Sequence, residues 1–171
     1  MRLILDDAQG LGSPVGSILV GTNQFIAQAI RVRKVLGGGM RQAGILAAAG
    51  IYSLTNMIER LQEDHINAGQ IARAIDDLKS DVISVTNKVR TNIILVKVNE
   101  KFATSDEFTL RLKKVFEDEE KSLGKSIVVK ASEIEKGSIR LVTHANVTQN
   151  DVVMAIQKLK YVVDEFNRAK N

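Results

Sequence analysis

Cysteine and tryptophan are absent from this chain, proline occurs once and histidine twice. Without cysteine there are no disulfides, no thiolate metal sites and no thiol nucleophile. No secretory signal is apparent, so the expected compartment is the reducing cytoplasm. Long hydrophobic runs are also lacking. The longest, Ala43 to Tyr52, falls far short of the ~20 residues that span a bilayer, which argues against a membrane protein. Charge of one sign is not concentrated: 24 basic residues are interleaved with 20 acidic ones, for a net charge of +4. That pattern offers no basic tract for nucleic acid. The two histidines, His65 and His144, are far apart, and no HExxH-type spacing suggests a metal.

What is present is a 44% hydrophobic chain of 171 residues with only 4% aromatics. Its core must therefore be built from Leu, Ile, Val and Ala, as suits helices on a sheet in an α/β protein. Arg2–Leu5 and Ser17–Val20 read as strands joined by the turn-rich AQGLGSPVG. Thr22 or Asn23 can cap a helix that ends at the hinge Gly37-Gly38-Gly39. Helical spacing resumes from Met40 to about Leu78, with a break expected between Asp64 and Gly69 because an unbroken helix would be too long for a small domain. Beyond it the pattern predicts strands at Val82–Val89 and Ile93–Val98 and a helix from Ser105 to about Leu123. Strands near Ile127–Lys130 and at Ile139–Thr143 follow, then a last helix at Asn150–Ala169. The acidic cluster Glu117 to Glu120 reads as a solvated helix face. These signals divide the chain into residues 1–78 and a compact α/β unit over 79–171.

Three glycines before a helix start, followed by Arg41, can offer backbone N–H groups and a guanidinium to a phosphate or carboxylate. The alternative is that they only permit a sharp turn. Lys34, with Arg31 and Arg33, adds positive charge upstream, although such a face is commonly just solvated. In IRLVTH, strand alternation puts Arg140, Val142 and His144 on one face and Leu141 and Thr143 on the other. Arg140 could capture a carboxylate in bidentate fashion, or make a surface ion pair. His65, in EDHIN, reads as a capping or packing residue.

The segments GLGSPVGSILVG, RVRKVLGGGMRQAGILAAAGIY, RLQEDHINA and IRLVTH, in this order, resemble the threonine aldolases. These are pyridoxal-phosphate lyases of the aspartate-aminotransferase-like fold, and the resemblance runs from about Ala8 to the end of the chain. It implies that residues 1–78 are the last strands and helices of a cofactor-binding large domain, with 79–171 the small C-terminal domain. It further implies pyridoxal 5'-phosphate as cofactor, an amino-acid substrate, and assembly into homo- or hetero-oligomers. Lys34 and Arg41 are then expected near the cofactor phosphate or substrate carboxylate, and Arg140 at the substrate carboxylate.

One position departs from the family pattern. The usual SKGLG segment, whose lysine forms the Schiff base, reads AQGLG here, so Gln9 occupies the lysine position. An amide lone pair is delocalised and forms no imine. The N-terminal half of the family, which carries the histidine stacked on the cofactor and the aspartate at the pyridine nitrogen, would precede Met1. Related enzymes cleave L-threonine or L-allo-threonine to glycine and acetaldehyde; this chain alone is not expected to do so. It reads as truncated, with two further explanations open: an inactive paralogue that partners a complete aldolase, or a gene-model artefact at the N-terminus.

Overall fold

The computed structural model describes residues 3–6 and 10–169. It divides into two compact units, Met1–Leu61 and Gln62–Asn171. Gln9 lies outside the described residues.

In the first unit, β1 (Leu3–Asp6) pairs antiparallel with β2 (Ser17–Val20), in a register that sets Leu3 opposite Val20. Helix α1 (Asn23–Val35) starts where the Thr22 hydroxyl accepts the Phe25 N–H, filling one of the donors a helix start leaves open. Helix α2 (Gly44–Asn56) begins later than the hydrophobic pattern suggests, because Gln42 adopts a positive φ of 49°. It also ends earlier than expected, at Asn56. There the Asn56 amide donates to the Tyr52 carbonyl and the Thr55 hydroxyl to that of Ile51. Such side-chain bonds compete with the helical ladder, so the chain turns at residues 57–60, not between Asp64 and Gly69. Inside this unit the Ser13 and Ser53 hydroxyls share a buried 2.8 Å hydrogen bond.

The second unit opens with α3 (Leu61–Asp77), and its sheet has the order β3-β4-β6-β5, antiparallel throughout. The strands are β3 (Ile83–Val85), β4 (Ile93–Val98), β5 (Ser132–Glu135) and β6 (Ser138–Val142). Helices α4 (Ser105–Lys113), α5 (Glu117–Leu123) and α6 (Gln149–Arg168) complete it. Ile94, Val96, Val98, Ile139 and Leu141 share one core with Ala68, Ile71 and Ile75 of α3, Phe108 and Leu112 of α4, and Val152, Leu159 and Val162 of α6. The contact boundary thus falls at Leu61, whereas the hydrophobic pattern put it near Leu78; the apolar stripe of α3 is buried in the second unit's core.

Three expected elements differ, each for a local reason. Strand β3 is short because the Asn87 side chain takes over the β4 edge, accepting from Leu95 N–H at 2.8 Å and donating to the Ile93 carbonyl at 3.2 Å. The helix expected over Ser105–Leu123 is two helices, with Lys114 extended at φ −89°, ψ 147° between them. Residues Ile127–Lys130 form no strand: the Val129 N–H bonds the Leu112 carbonyl, and pairing with β6 begins only at Ser132.

Candidate functional site

The glycine turn after α1 is built by its own side chains. The Gly38 N–H donates to the Arg33 carbonyl at 2.8 Å, and the Arg33 Nε donates back to the Gly38 carbonyl at 2.7 Å. Gly37 has a φ of 80°. A Cβ on Gly39 would stand 2.7 Å from Lys34 Cδ and 3.2 Å from Lys34 Nζ, so the lysine lies against backbone that only glycine leaves bare. Arg41 follows, exposed and without an ion pair among the described residues. Ala43, at the start of α2, offers no side-chain cap, so the first N–H groups of that helix remain available as donors. The structure therefore brings Lys34 against Gly39, and both onto the segment that leads through Arg41 into α2. Ammonium, guanidinium and free amides form a donor set suited to a phosphate.

In the second unit, β6 alternates as the sequence pattern predicts: Ile139, Leu141 and Thr143 are buried, while Arg140, Val142 and His144 are exposed. Arg140 stands opposite Leu95 of β4 and Ser132 of β5, on the sheet face away from the helices. It has no ion pair among the described residues, so the surface-pair alternative is not realised. The end of this strand is held from behind. The Thr143 hydroxyl donates to the Asp64 carbonyl at 2.7 Å, and the Asn92 amide donates to the Thr143 carbonyl at 2.8 Å. Asn67 of α3 donates to the Val147 carbonyl at 3.1 Å, tying down the loop beyond. His144 Nδ1 accepts the Asn146 N–H at 3.3 Å, and His65 lies half-buried on α3.

The acidic cluster corrects one expectation. Glu117, Asp118 and Glu120 are exposed, but Glu119 is fully buried and ion-pairs with the fully buried Lys158 of α6. Arg111 Nη2 reaches Glu119 at 2.8 Å and Glu165 at 2.6 Å. Arg111 and Lys158 also both donate to the Lys114 carbonyl, the one exposed to them where α4 ends. Burial holds the Lys158 ammonium below its ordinary lysine range despite the adjoining Glu119. For Arg111, burial acts downward, but the hydrogen bonds it donates to Glu165 and Glu119 outweigh it, and the guanidinium is held above its usual range. These residues join α4, α5 and α6; they sit in the core, not at a ligand surface. The only sequence hint was Lys158, which falls on the apolar stripe of α6 between Ala155 and Val162.

The backbone matches several solved structures. Against 8-amino-7-oxononanoate synthase from Francisella tularensis the TM-score is 0.68 at 16% identity, covering 100% of this chain and 47% of that one. Against a putative L-allo-threonine aldolase from Listeria monocytogenes it is 0.66 at 15% identity, covering 94% and 44%. Acetylornithine aminotransferase from Elizabethkingia anophelis gives 0.60 at 19% identity, covering 96% and 40%. The fold is thus that of the pyridoxal-phosphate-dependent, aminotransferase-like enzymes.

Within that class, the family profile described as beta-eliminating lyase matches residues 4–101, and the chain belongs to this family. It is 41% identical over 145 residues to the low specificity L-threonine aldolase of Escherichia coli (strain K12), covering 85% of this chain and 38% of that protein. It is 35% identical to low-specificity L-threonine aldolase 1 of Arabidopsis thaliana, covering 85% and 37%. The chain therefore spans less than two fifths of the length of these two relatives. No helix among the described residues is long and apolar enough to cross a membrane.

Proposed function

We propose that this chain is a threonine-aldolase-like protein that carries the phosphate-binding turn and substrate-carboxylate arginine of a pyridoxal-phosphate lyase without the means to complete the reaction alone. The observation that carries the reading is Arg140: exposed, free of ion pairs among the described residues, and set on a strand pinned by Thr143 and Asn92. It lies in a chain 41% identical to a threonine aldolase.

The donor set fits the group in part. Lys34, Arg41 and the amides at the start of α2 would hold the phosphate, and Arg140 would orient the amino acid through its carboxylate. When bound, the cofactor supplies an electron sink for cleavage of the bond between Cα and Cβ of a hydroxy amino acid. Gln9 offers no amine at the position where the family has its lysine, so it can neither anchor the cofactor covalently nor pass a proton to the substrate. We assign the protein to the cytoplasm and, by descent, residues 1–78 to the cofactor-binding domain as parts of the same reading, with α3 as the stretch of it that packs in the second unit's core.

The test is direct. Purified chain mixed with pyridoxal phosphate and L-threonine or L-allo-threonine should release no acetaldehyde, and borohydride reduction should leave no stoichiometric covalent adduct. Gln9→Lys should gain that adduct. Sustained acetaldehyde release by the unaltered chain would sink the proposal.

A second reading, that the chain partners a complete aldolase in an oligomer, is favoured by the first unit. There an apolar groove of about 660 Å³, lined by residues such as Ile26, Ile30, Leu46 and Ile51, lies open. Val35 and Ile45 are each 85% exposed and Tyr52 is 65% exposed. Co-purification with a full-length aldolase supports this reading, and a monodisperse monomer that ignores one refutes it.

A further inference from the structure

The second unit contains a cavity that the aldolase reading does not use. Strand β5 pairs with β6 only as far as Ser132 opposite Arg140, and the Val129 N–H is drawn away to the Leu112 carbonyl. The stretch of β6 beyond Arg140 therefore lacks a neighbouring strand on that side, and a cleft of about 350 Å³ opens between residues 128–130 and 141–144. Its volume is at the lower end of the range for small-ligand sites.

The floor is aliphatic, formed by Ile71 of α3, Leu141 of β6, and Ala155 and Leu159 of α6. The rim carries an ammonium, an imidazole and a carboxylate. Lys130 is exposed and has no ion pair among the described residues. His144 uses Nδ1 to accept the Asn146 N–H, which places the ring proton on Nε2 and makes that atom a donor. Asp151, the one carboxylate on the rim, is engaged by the Thr148 N–H and hydroxyl at 2.8 and 2.6 Å in the capping box of α6. Thr143 turns its N–H toward Asn92 of β4, so by strand alternation the Val142 N–H and carbonyl face the vacated side. They add one donor and one acceptor; Asp151 keeps its charge but already has two donors of its own, so the unpaired Lys130 and the His144 donor favour a carboxylate head.

We propose that this cleft binds a short aliphatic carboxylate, its chain on Ile71, Leu141, Ala155 and Leu159 and its head between Lys130 and His144. The site is separate from Arg140, which does not line it. Apolar burial supplies affinity, Lys130 supplies the charge and His144 a directed donor.

Calorimetric titration of the full chain with octanoate, octanol and octylamine tests this, with amide NMR shifts locating the binding. Octanoate should bind saturably, and octanol and octylamine at least tenfold more weakly, with shifts confined to residues 128–130, 141–147 and the first turns of α6. Lys130→Gln and His144→Gln should each weaken octanoate severalfold. Lys130→Glu, a surface change that leaves the core intact, should reverse the preference toward octylamine. Equal binding of octanoate and octanol, unchanged affinity in the variants, or shifts in the apolar groove of the first unit would overturn the proposal.

Discussion

Glu119 and Lys158 are each 0% exposed, so removing the Glu119 carboxylate leaves a buried ammonium without its ion-pair partner. Loss of one partner of such a buried pair costs about 3–5 kcal/mol, whereas replacing both by apolar residues of similar size is often near neutral. Glu119→Gln should therefore lower the unfolding free energy by that order in urea melts, and the double change Glu119→Leu with Lys158→Met should recover most of it. If the double variant is no more stable than the single, the pair contributes through packing and not charge. Arg140 is the opposite kind of residue, a cation with no ion pair among the described residues. If it holds a carboxylate by a two-pronged contact, Arg140→Lys should weaken amino-acid binding about tenfold, while melting is unchanged. Equal binding by both forms would remove Arg140 from the site.

At the scale of elements, α4 and α6 each begin with a reciprocal capping box, Thr104 with Glu107 and Thr148 with Asp151. Hydrogen bonds from the backbone and hydroxyl of Thr104 hold the Glu107 carboxyl below its ordinary value of 4.5, and those of Thr148 hold Asp151 below 3.8. Because the folded values are depressed, the stability from these caps is fully present above the ordinary values. It is lost as pH falls through the lower folded values. Thermal melts between about pH 6 and pH 2 should show the variants Glu107→Ala and Asp151→Ala with a flatter acid limb than the unaltered chain; parallel limbs would refute the assignment.

Local chemistry made β2 and β4 legible from residue order: their observed bounds, Ser17–Val20 and Ile93–Val98, match the apolar runs. It could not reveal the break after Lys113. Helical spacing continues through residues 114–116, and the carbonyl freed there is satisfied by Lys158 from another helix.

At the scale of the molecule, the second unit encloses a continuous core, while no residue of α1 in the first unit is buried. Apolar side chains left in water at that density favour association. Light scattering should find the chain oligomeric, and Val35→Glu with Ile45→Glu should shift it toward monomer; a monomer before mutation would remove the argument.

Residue order by itself determined the α/β class, the faces of β6, the glycine turn beside Lys34 and the substitution of Gln9 in the aldolase-like segment. Each depends on neighbours a few positions away or on side-chain chemistry alone. Tertiary structure alone decided that Glu119 is buried, that α3 joins the second core, and that β6 is left open beside Lys130 and His144. Those outcomes depend on charges and carbonyls brought together from distant parts of the chain, and no local periodicity records them.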